Sequence, residues 1–389
     1  RQMCIRDSPA GCRGAGLSMQ TITGDLLQDS LLHLLYCALK EEKPALPTDL
    51  NWEALLQLAN RQQVYNTVLP VLEKAAVLPP EQLQRWNDYR LTELQRTLYV
   101  NSQRQAVCAD LEAQNIRYMF LKGLVLRALY PQTMMRQMSD NDILFDPDRR
   151  GDLAKIMREH QFTLTVATDK SDDYYKEPNC LIEFHRELFN HTDLQTAFPA
   201  ALVWQHAVPD PDHSCCYRMS PEDNYLFTLG HMYKHYIMEG CGVRFLCDMY
   251  LLRAKQPQMN MKYVESMVSK MGISSFHQTV IGLAEAVFAG GELTDDGRQL
   301  LNDMFSGTVY GKGKTMAEKV DEHGGKGRYI LSRLFPKVSI MKNTYPVLDK
   351  CPVLLPFYYL VRLFSRLRHR KKEIRSEVRQ LKNSKGDRL

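Results

Sequence analysis

The chain has 389 residues, of which 44% are hydrophobic and 24% are charged, with 21 Gly and 18 Pro. This composition is typical of globular proteins and excludes collagen-like, low-complexity and wholly disordered chains, while the length suits two or three domains. The longest apolar stretch, 353–361, has about half of the roughly 20 residues that a membrane-spanning helix requires, so the sequence does not predict an integral membrane protein.

The net charge of +5 is unevenly distributed. Residues 362–389 hold 11 Lys or Arg against 3 Asp or Glu, an excess of eight positive charges, and the rest of the chain is close to neutral. Bulk charge therefore does not indicate nucleic acid as a partner. The ten cysteines include no Cys-x-x-Cys pair, which excludes zinc ribbons and thioredoxin-like motifs and favours reduced thiols in a cytoplasmic protein.

The N-terminal part of the chain is predicted to be helical after a short leader. The first eight residues resemble a translated sequencing adapter, a known contaminant of metagenomic assemblies, and we expect 1–18 to be a non-native or disordered leader before a start at Met19. Residues 19–114 show leucines at helical spacing, with Asp49 or Asn51 as candidate caps. Two prolines at 79–80 precede a long amphipathic helix. We interpret 19–114 as a helical N-terminal packing domain.

The pattern changes at Ile116, where short apolar runs begin to alternate with helical segments. The predicted strands cover 118–121, the end of 140–145, 162–166 and 180–185. The predicted helices between them cover 124–130 and 147–160. Strands that alternate with helices over this length indicate a small α/β domain, which we place at 115–192.

Residues 193–350 are predicted to form a helical C-terminal region. Its strongest helical patterns lie at 226–236, 243–254 and 263–288. The glycine- and lysine-rich segment 307–327 is predicted to be a flexible loop and not a phosphate-binding loop, because it lacks the Gly-x-x-x-x-Gly-Lys-Ser/Thr motif. Residues 351–389 form an apolar segment and a basic tail. A solvated tail is the first interpretation; peripheral contact with an anionic membrane, at the inner membrane face, is the second, and nucleic-acid contact is the third.

Three acidic residues in the α/β segment suggest a metal site. Asp140 and Asp142 lie two apart, so in an extended chain their side chains point the same way, and Glu183 lies between apolar neighbours on a later strand. If the strands are adjacent, the three carboxylates converge and repel one another unless a cation binds, and oxygen ligands suit Mg²⁺. Upstream, Gly123 lies at a strand-to-helix turn, where backbone amides could approach a phosphate.

Several short motifs in this region follow the order of a known family. They are Phe120-Leu-Lys-Gly-Leu-Val-Leu126, Tyr130-Pro131, Arg136-x-x-Ser139-Asp-Asn-Asp-Ile-Leu144, Ile182-Glu183-Phe184-His185, Leu229-Gly-His231, Arg244-Phe-Leu-Cys-Asp248 and Cys351-Pro-Val-Leu-Leu-Pro356. In these motifs, the chain resembles the uncharacterised bacterial nucleotidyltransferases of the polymerase-beta-like superfamily. The resemblance implies a mostly helical α+β fold, with a small polymerase-beta-like mixed-sheet core between N-terminal and C-terminal helical regions.

The resemblance also implies an activity. Such enzymes transfer a nucleoside monophosphate from an NTP to a hydroxyl acceptor and release pyrophosphate. Asp140, Asp142 and Glu183 would hold two Mg²⁺ ions, with Mn²⁺ as an alternative ion, and Glu183 would help to deprotonate the acceptor. Four further residues would form the nucleotide site. Gly123 would lie against the triphosphate with Lys122 as a phosphate contact, and Arg136 and Ser139 would orient the loop or contact phosphate oxygens. The acceptor stays open among small molecules, sugars, tRNA and proteins, because all would use the same metal site.

Two departures from the superfamily pattern leave other functions open. Leu124 replaces a small residue after the glycine, and Asn141 replaces an apolar residue between the paired acids. These departures are the basis of an alternative, a catalytically degenerate protein that binds nucleotide or a partner without turnover. The toxin component of a toxin–antitoxin pair is a further alternative within the same superfamily.

Two pairs of residues four apart on predicted helices could also have a function. His231 and His235 have a spacing that zinc can use, although no third ligand is evident, and we interpret them as structural. Arg244 and Asp248 are expected to form a helix ion pair. The second interpretation of Arg244 places it near the nucleotide or the acceptor.

Overall fold

The computed structural model describes residues 19–138, 141–189, 192–238 and 240–306, with short stretches at 327–328, 330, 334–335, 352–359 and 361. The chain divides into two compact units, Arg1–Lys312 and Gly313–Leu389. The leader, the basic tail and nearly all of the glycine-rich segment lie outside the described residues. In the second unit, a 3₁₀ turn covers Pro352–Leu354, and the rings of Phe335 and Tyr359 pack edge to face.

The described part of the first unit is mostly helical. Its helices are α1 (Leu26–Lys40), α2 (Trp52–Arg61), α3 (Tyr65–Ala75), α4 (Pro80–Ala113), α5 (Gly123–Leu126), α6 (Arg150–Glu159), α7 (Thr192–Ala197), α8 (Ala200–His206), α9 (Pro221–Met238), α10 (Val243–Lys255), α11 (Met261–Lys270), α12 (Ser274–Phe288) and α13 (Asp295–Ser306). None of the helices in the described ranges is long and apolar enough to cross a membrane.

A mixed sheet of seven strands lies in the middle of this unit. The strands are β1 (Tyr118–Phe120), β2 (Asn141–Phe145), β3 (Thr163–Ala167), β4 (Ser171–Lys176), β5 (Cys180–His185), β6 (Val208–Pro209) and β7 (Cys216–Arg218). Their order is β3-β4-β5-β2-β1-β7-β6. Strand β2 pairs antiparallel with β1 and parallel with β5, so it lies at the centre of the sheet.

Local signals explain where several helices begin and end. Asn51 caps α2 by accepting a hydrogen bond from the Ala54 amide. Of the two predicted candidate caps, Asp49 and Asn51, the cap is therefore Asn51. The proline pair starts α4, which continues for 34 residues. The helical pattern predicted over 263–288 corresponds to two helices, α11 and α12, because the chain turns between them at Gly272, whose φ is +70°.

The sequence analysis missed strands β4, β6 and β7. The sequence of β4, Ser-Asp-Asp-Tyr-Tyr-Lys, is too polar for the usual strand signal. Asp172 is nevertheless buried, because Arg150 and Arg186 both donate hydrogen bonds to its carboxylate. The ion pairs therefore offset the burial of a charge that no strand pattern would place inside.

Strand β2 is buried on both faces, which fixes the position of the site. Leu144 belongs to the large core that the helices form, whereas Ile143 and Phe145 belong to a smaller core that includes α4 and α6. Side chains alternate along a strand, so Asp142 shares the face of Leu144. The long helix α4 packs on α6 and β5.

The division of the chain into domains at 19–114, 115–192 and 193–350 stays a prediction from the sequence.

Gln62 connects three helical segments that are far apart in the sequence. It follows α2, and its side chain donates a hydrogen bond to the Met304 carbonyl in α13 and accepts one from the Val243 amide that begins α10. The amide of Val243 is one of the first in its helix and has no partner within it. Gln62 therefore fixes the start of α10 relative to the N-terminal helices.

We expect Gln62→Leu to lower the free energy of unfolding by about 2–5 kcal/mol, because two buried backbone groups would lose their partner. Urea unfolding followed by circular dichroism measures this loss. Gln57→Leu, at an exposed position of α2, is the control and should change stability by less than about 1 kcal/mol. Equal stability of the two variants would contradict this role of Gln62.

Candidate active site

The parallel pairing of β2 and β5 brings two of the predicted acids together. Asp142 lies directly opposite Glu183 in the register of the two strands, so both side chains lie on the same face of the sheet. His185 follows two residues later on β5, and its Nε2 atom lies 2.8 Å from Asp142 Oδ1 and 3.5 Å from Glu183 Oε2. Possible ligand atoms of these three residues all lie within 4.8 Å of one another.

Lys122 faces the same carboxylate from the turn after β1. Its Nζ atom lies 2.5 Å from Asp142 Oδ1. The Lys122 backbone has φ 49° and ψ −123°, a region that favours glycine. The residue of the turn with a strained backbone is therefore Lys122, the residue before Gly123.

Opposing effects determine the charges in this cluster. Burial would raise the pKa of the Asp142 carboxyl, but the Lys122 ammonium and the hydrogen bond from His185 outweigh burial and hold that pKa well below its usual range. Burial would lower the pKa of His185, but its bonds to Asp142 and Glu183 raise it overall. Asp142 is thus an ionised, almost fully buried carboxylate next to the Lys122 ammonium and the His185 imidazole.

Asp173 adds a further acid that the sequence analysis missed. It lies opposite Glu183 in the antiparallel pairing of β4 with β5, on the face of the sheet that carries Asp142. Burial, together with the nearby charges of Glu183 and Asp142, raises the pKa of Asp173 to about 6. No sequence signal indicated this acid, because the polar sequence of β4 does not predict a strand.

Gly123 is required because an arginine lies across it. A Cβ atom at this position would lie 2.6 Å from Nη1 of Arg136. Arg136 is buried, and its Nε and Nη2 atoms donate to the two carboxylate oxygens of Asp248 at 2.8 and 2.7 Å. The structure thus places Arg136 beside the glycine turn, with two of its three nitrogens bound to Asp248.

Of the two residues next to Asp140, the structure describes Asn141. Ser139 and Asp140, both predicted site residues, lie outside the described residues. Asn141 is buried, accepts a hydrogen bond from Arg104 of α4 at 2.8 Å and donates one to the Leu181 carbonyl at 3.2 Å. The polar residue between the paired acids is therefore bound on both sides, and the strand end is buried in spite of this departure.

Helices α9 and α10 cover the same face of the sheet. The rings of His231 and His235 lie 4.4 Å apart, and both pack against Phe245. Burial, together with nearby positive charges that include Lys122, lowers the pKa of both histidines, to about 4 for His235. The expected ion pair of Arg244 with Asp248 is wrong: Asp248 binds Arg136, and Arg244 donates to Gln63 and to the Gln137 carbonyl.

The side chains of the cluster are of types that bind divalent cations. Among the described residues, one group of three possible ligands is found, and it holds two carboxylates and one imidazole. Carboxylate oxygens suit Mg²⁺ and Mn²⁺, and an imidazole suits Mn²⁺ better than Mg²⁺. The buried Asp142 already attracts cationic groups, so the residues present fit a divalent ion.

Comparison with known proteins identifies the family. A sequence model of the family described as "uncharacterised nucleotidyltransferase" matches residues 48–289, which is more than half of the chain. The chain therefore belongs to this family and is a nucleotidyltransferase. The matched segment begins before α2 and ends just after α12, so it includes the sheet, the acidic cluster and the helices that cover them.

Comparisons with curated proteins and with solved structures add no information on the fold or the substrate. No curated protein matches the chain. A search of solved structures finds the solution structure of the antibiotic-resistance factor ANT(2'')-Ia, with 12% sequence identity and a TM-score of 0.34, covering 49% of this chain and 97% of that chain. Nothing about the fold or the substrate follows from a similarity of this size.

Asp173→Asn should stabilise the metal-free protein in a pH-dependent manner. Because the folded pKa of about 6 exceeds the unfolded value, the folded state holds a proton that the unfolded state releases, and stability falls as pH rises through this window. The amide side chain of the variant does not ionise, so the variant does not lose stability in this pH range. Its gain in melting temperature should be small near about pH 4, rise until about pH 6 and stay constant above.

Thermal unfolding in the presence of a chelator, at several pH values, checks this expectation. Asp169→Asn removes an exposed acid from the neighbouring turn and should change the melting temperature little at any pH. A gain for Asp173→Asn that does not depend on pH would show that the ionisation of Asp173 is not its cause.

Gly123→Ala is expected to lower the free energy of unfolding by about 1–3 kcal/mol, since the added methyl group overlaps a guanidinium that Asp248 prevents from moving. Urea unfolding measures the change. Gly151→Ala, on α6, where the added methyl group meets nothing within 4 Å, should be neutral or slightly stabilising. A neutral Gly123→Ala would mean that Arg136 can move away.

Proposed function

We propose that this nucleotidyltransferase transfers a nucleoside monophosphate from an NTP to a hydroxyl group of an acceptor, in a reaction that requires a divalent metal ion and releases pyrophosphate. The observation that carries the proposal is the cluster of Asp142, Glu183 and His185 beside the strained turn at Lys122 and Gly123. A cluster of acids beside a turn with a cationic side chain suits a metal-bound triphosphate. Family membership supports the same chemistry.

The metal would be held by the acids at the end of β2 and β5. Asp140, Asp142 and Glu183 are the proposed ligands of Mg²⁺, with two ions expected and Mn²⁺ as the alternative, and His185 is the further donor that the structure adds. A bound divalent ion neutralises phosphate charge and favours the ionised acceptor hydroxyl. The cation would also take over the role that Lys122 and His185 have next to Asp142, which frees Lys122 for the phosphates.

The proposed roles of the remaining residues follow from their contacts. Glu183 is partly exposed, with 24% of its side chain accessible, and it is the proposed base that accepts the proton of the acceptor hydroxyl. Lys122 is the proposed phosphate contact. Arg136 fits the first of its two predicted roles, which was to orient the loop, because its guanidinium is bound to Asp248. Ser139 keeps its predicted role beside the nucleotide.

The bond changes are those of an in-line displacement. The acceptor oxygen forms a bond to the α-phosphorus, and the bond between the α-phosphorus and the oxygen that bridges to the β-phosphorus breaks. Pyrophosphate leaves with the electron pair of that bond, and the acceptor proton passes to Glu183. Binding, orientation and charge compensation by the residues above would supply most of the acceleration.

The fold assignment and the location belong to the same proposal. The antiparallel β1–β2 pair and the parallel β2–β5 pair support a polymerase-beta-like core over 115–192, between helical regions at 19–114 and 193–350. The protein is proposed to be cytoplasmic. Its basic tail, at 362–389, lies outside the described residues. A solvated tail stays the first interpretation of this segment, and peripheral contact with anionic membranes stays the second.

A label-transfer assay tests the function. Purified protein is mixed with each α-³²P-labelled NTP, Mg²⁺ and cell lysate fractions of RNA, protein and small molecules. We expect label in one fraction and a loss of at least about 100-fold for Asp142→Asn, since this acid is the most buried of the cluster. The control Asp146→Asn, at the other end of the same strand, should keep most of the activity.

The alternatives give different results in this assay. Mg²⁺-dependent NTP binding without label transfer to any fraction would favour the degenerate, non-catalytic function suggested by Leu124 and Asn141. Growth arrest on expression, abolished by Asp142→Asn, would favour the toxin function. Full transfer by Asp142→Asn would contradict the proposed site.

A further inference from the structure

The loop that leads to the paired acids is held by helices from both sides of the chain. Thr67 of α3 donates a hydrogen bond to the Met135 carbonyl at 2.7 Å. Asp248 of α10 binds the side chain of Arg136 with both carboxylate oxygens. Arg244, also of α10, donates to the Gln137 carbonyl at 3.2 Å. Three consecutive loop residues are therefore each bound by a residue outside the α/β segment.

Asp248 is the centre of this arrangement. Its side chain is fully buried, and besides the two bonds from Arg136 it accepts a hydrogen bond from the Tyr130 hydroxyl at 2.9 Å. Tyr130 follows the turn that Lys122 and Gly123 begin, and Arg136 lies in the loop that leads to β2. A single carboxylate on α10 thus binds two side chains, Tyr130 and Arg136, of the segment between the glycine turn and the paired acids.

The geometry of Arg136 connects this carboxylate to the candidate active site. A two-pronged arginine–carboxylate pair fixes the orientation of the guanidinium as well as its position. The third nitrogen, Nη1, then lies next to Gly123. A Cβ atom at position 123 would lie only 2.6 Å from it. The turn therefore rests against a guanidinium whose plane is set by Asp248.

We propose that Asp248 is a positioning residue of the nucleotide site: through Arg136 it holds the Lys122-Gly123 turn at a fixed distance from the strand that carries Asp142. The inference rests on the proposed function, and it makes α10 part of the catalytic machinery. Arg244, four residues earlier on the same helix face, holds the adjacent loop residue for the same purpose.

Stability alone does not account for this arrangement. A buried ion pair contributes little net stability compared with apolar residues of the same size, because desolvation offsets the attraction. The pair instead supplies orientation, which apolar packing would not supply at the glycine turn. The consequence is that loss of Asp248 should affect nucleotide binding beyond its effect on the fold.

The test compares Asp248→Asn with a matched control, Asp223→Asn. Asp223 is also fully buried and hydrogen-bonded, to His206 and Tyr263, but it lies at the start of α9 and makes no described contact with the loop. Both variants should lose stability to a similar degree in thermal unfolding. Binding of each common NTP in the presence of Mn²⁺, without acceptor, is then measured by calorimetry below the melting temperature of both.

We expect Asp248→Asn to weaken Mn²⁺-dependent NTP binding by about tenfold or more, as is common when a residue behind a metal site is changed, and Asp223→Asn to weaken it less than about threefold. Equal affinities of the two variants would overturn the positioning role. Wild-type protein that does not bind any NTP with Mn²⁺ would instead contradict the proposed function, and the inference with it.

A second variant keeps the test decisive if Asp248→Asn does not fold. Arg136→Lys retains a cation beside Asp248 but loses the two-pronged geometry. It should weaken NTP binding by about tenfold or more, as expected for Asp248→Asn. If both single variants fold, the double variant should weaken binding no further than either single change, because both act on one contact. Wild-type affinity of Arg136→Lys would show that charge, and not orientation, is what the site requires.

Discussion

The buried carboxylate of Asp142 is the constraint on which the rest of the site depends. An ionised acid at the centre of a sheet is costly unless cationic groups compensate it. Here Lys122 and His185 lie within 2.8 Å of the same oxygen, and the strained backbone of Lys122 places its ammonium there. An ammonium and an imidazole at one carboxylate oxygen are an arrangement that a divalent ion can replace.

The fold supplies this arrangement through the topology of one sheet. Because β2 pairs in parallel with β5, Asp142 and Glu183 are direct neighbours, and the antiparallel β4 adds Asp173 on the same face. The opposite face of β2 packs in the smaller core that includes α4 and α6, so the strand cannot shift without exposing Ile143 and Phe145. The helices α3 and α10 then fix the loop before β2 from outside the sheet.

Much of this could be predicted from the sequence, because the signals are local. The apolar runs before Lys122 and after Asn141 indicated two strands, and the apolar neighbours of Glu183 indicated a third, which placed Asp142 and Glu183 together. The family, which the motif order suggested, is confirmed by the match over 48–289.

The parts that were missed depend on contacts between distant residues. Asp248 and Arg136 are 112 positions apart, and the sequence offered Arg244, four residues away, as the simpler partner. Asp173 lies on a strand whose polar sequence conceals it, and the role of His185 depends on the register of β5 with β2. The roles of Asp140 and Ser139 stay predictions from the sequence.

The central claim is that a metal-bound NTP occupies the face of the sheet between Asp142, Glu183 and the Lys122-Gly123 turn. Crystallography of the protein with Mn²⁺ and an NTP, with data at the manganese absorption edge, tests it most directly. The account predicts an anomalous peak between the carboxylates of Asp142 and Glu183, with the triphosphate beside the turn and Lys122 moved from Asp142 to the phosphates. A nucleotide bound elsewhere, with the Lys122–Asp142 ion pair intact and no manganese at the cluster, would contradict it.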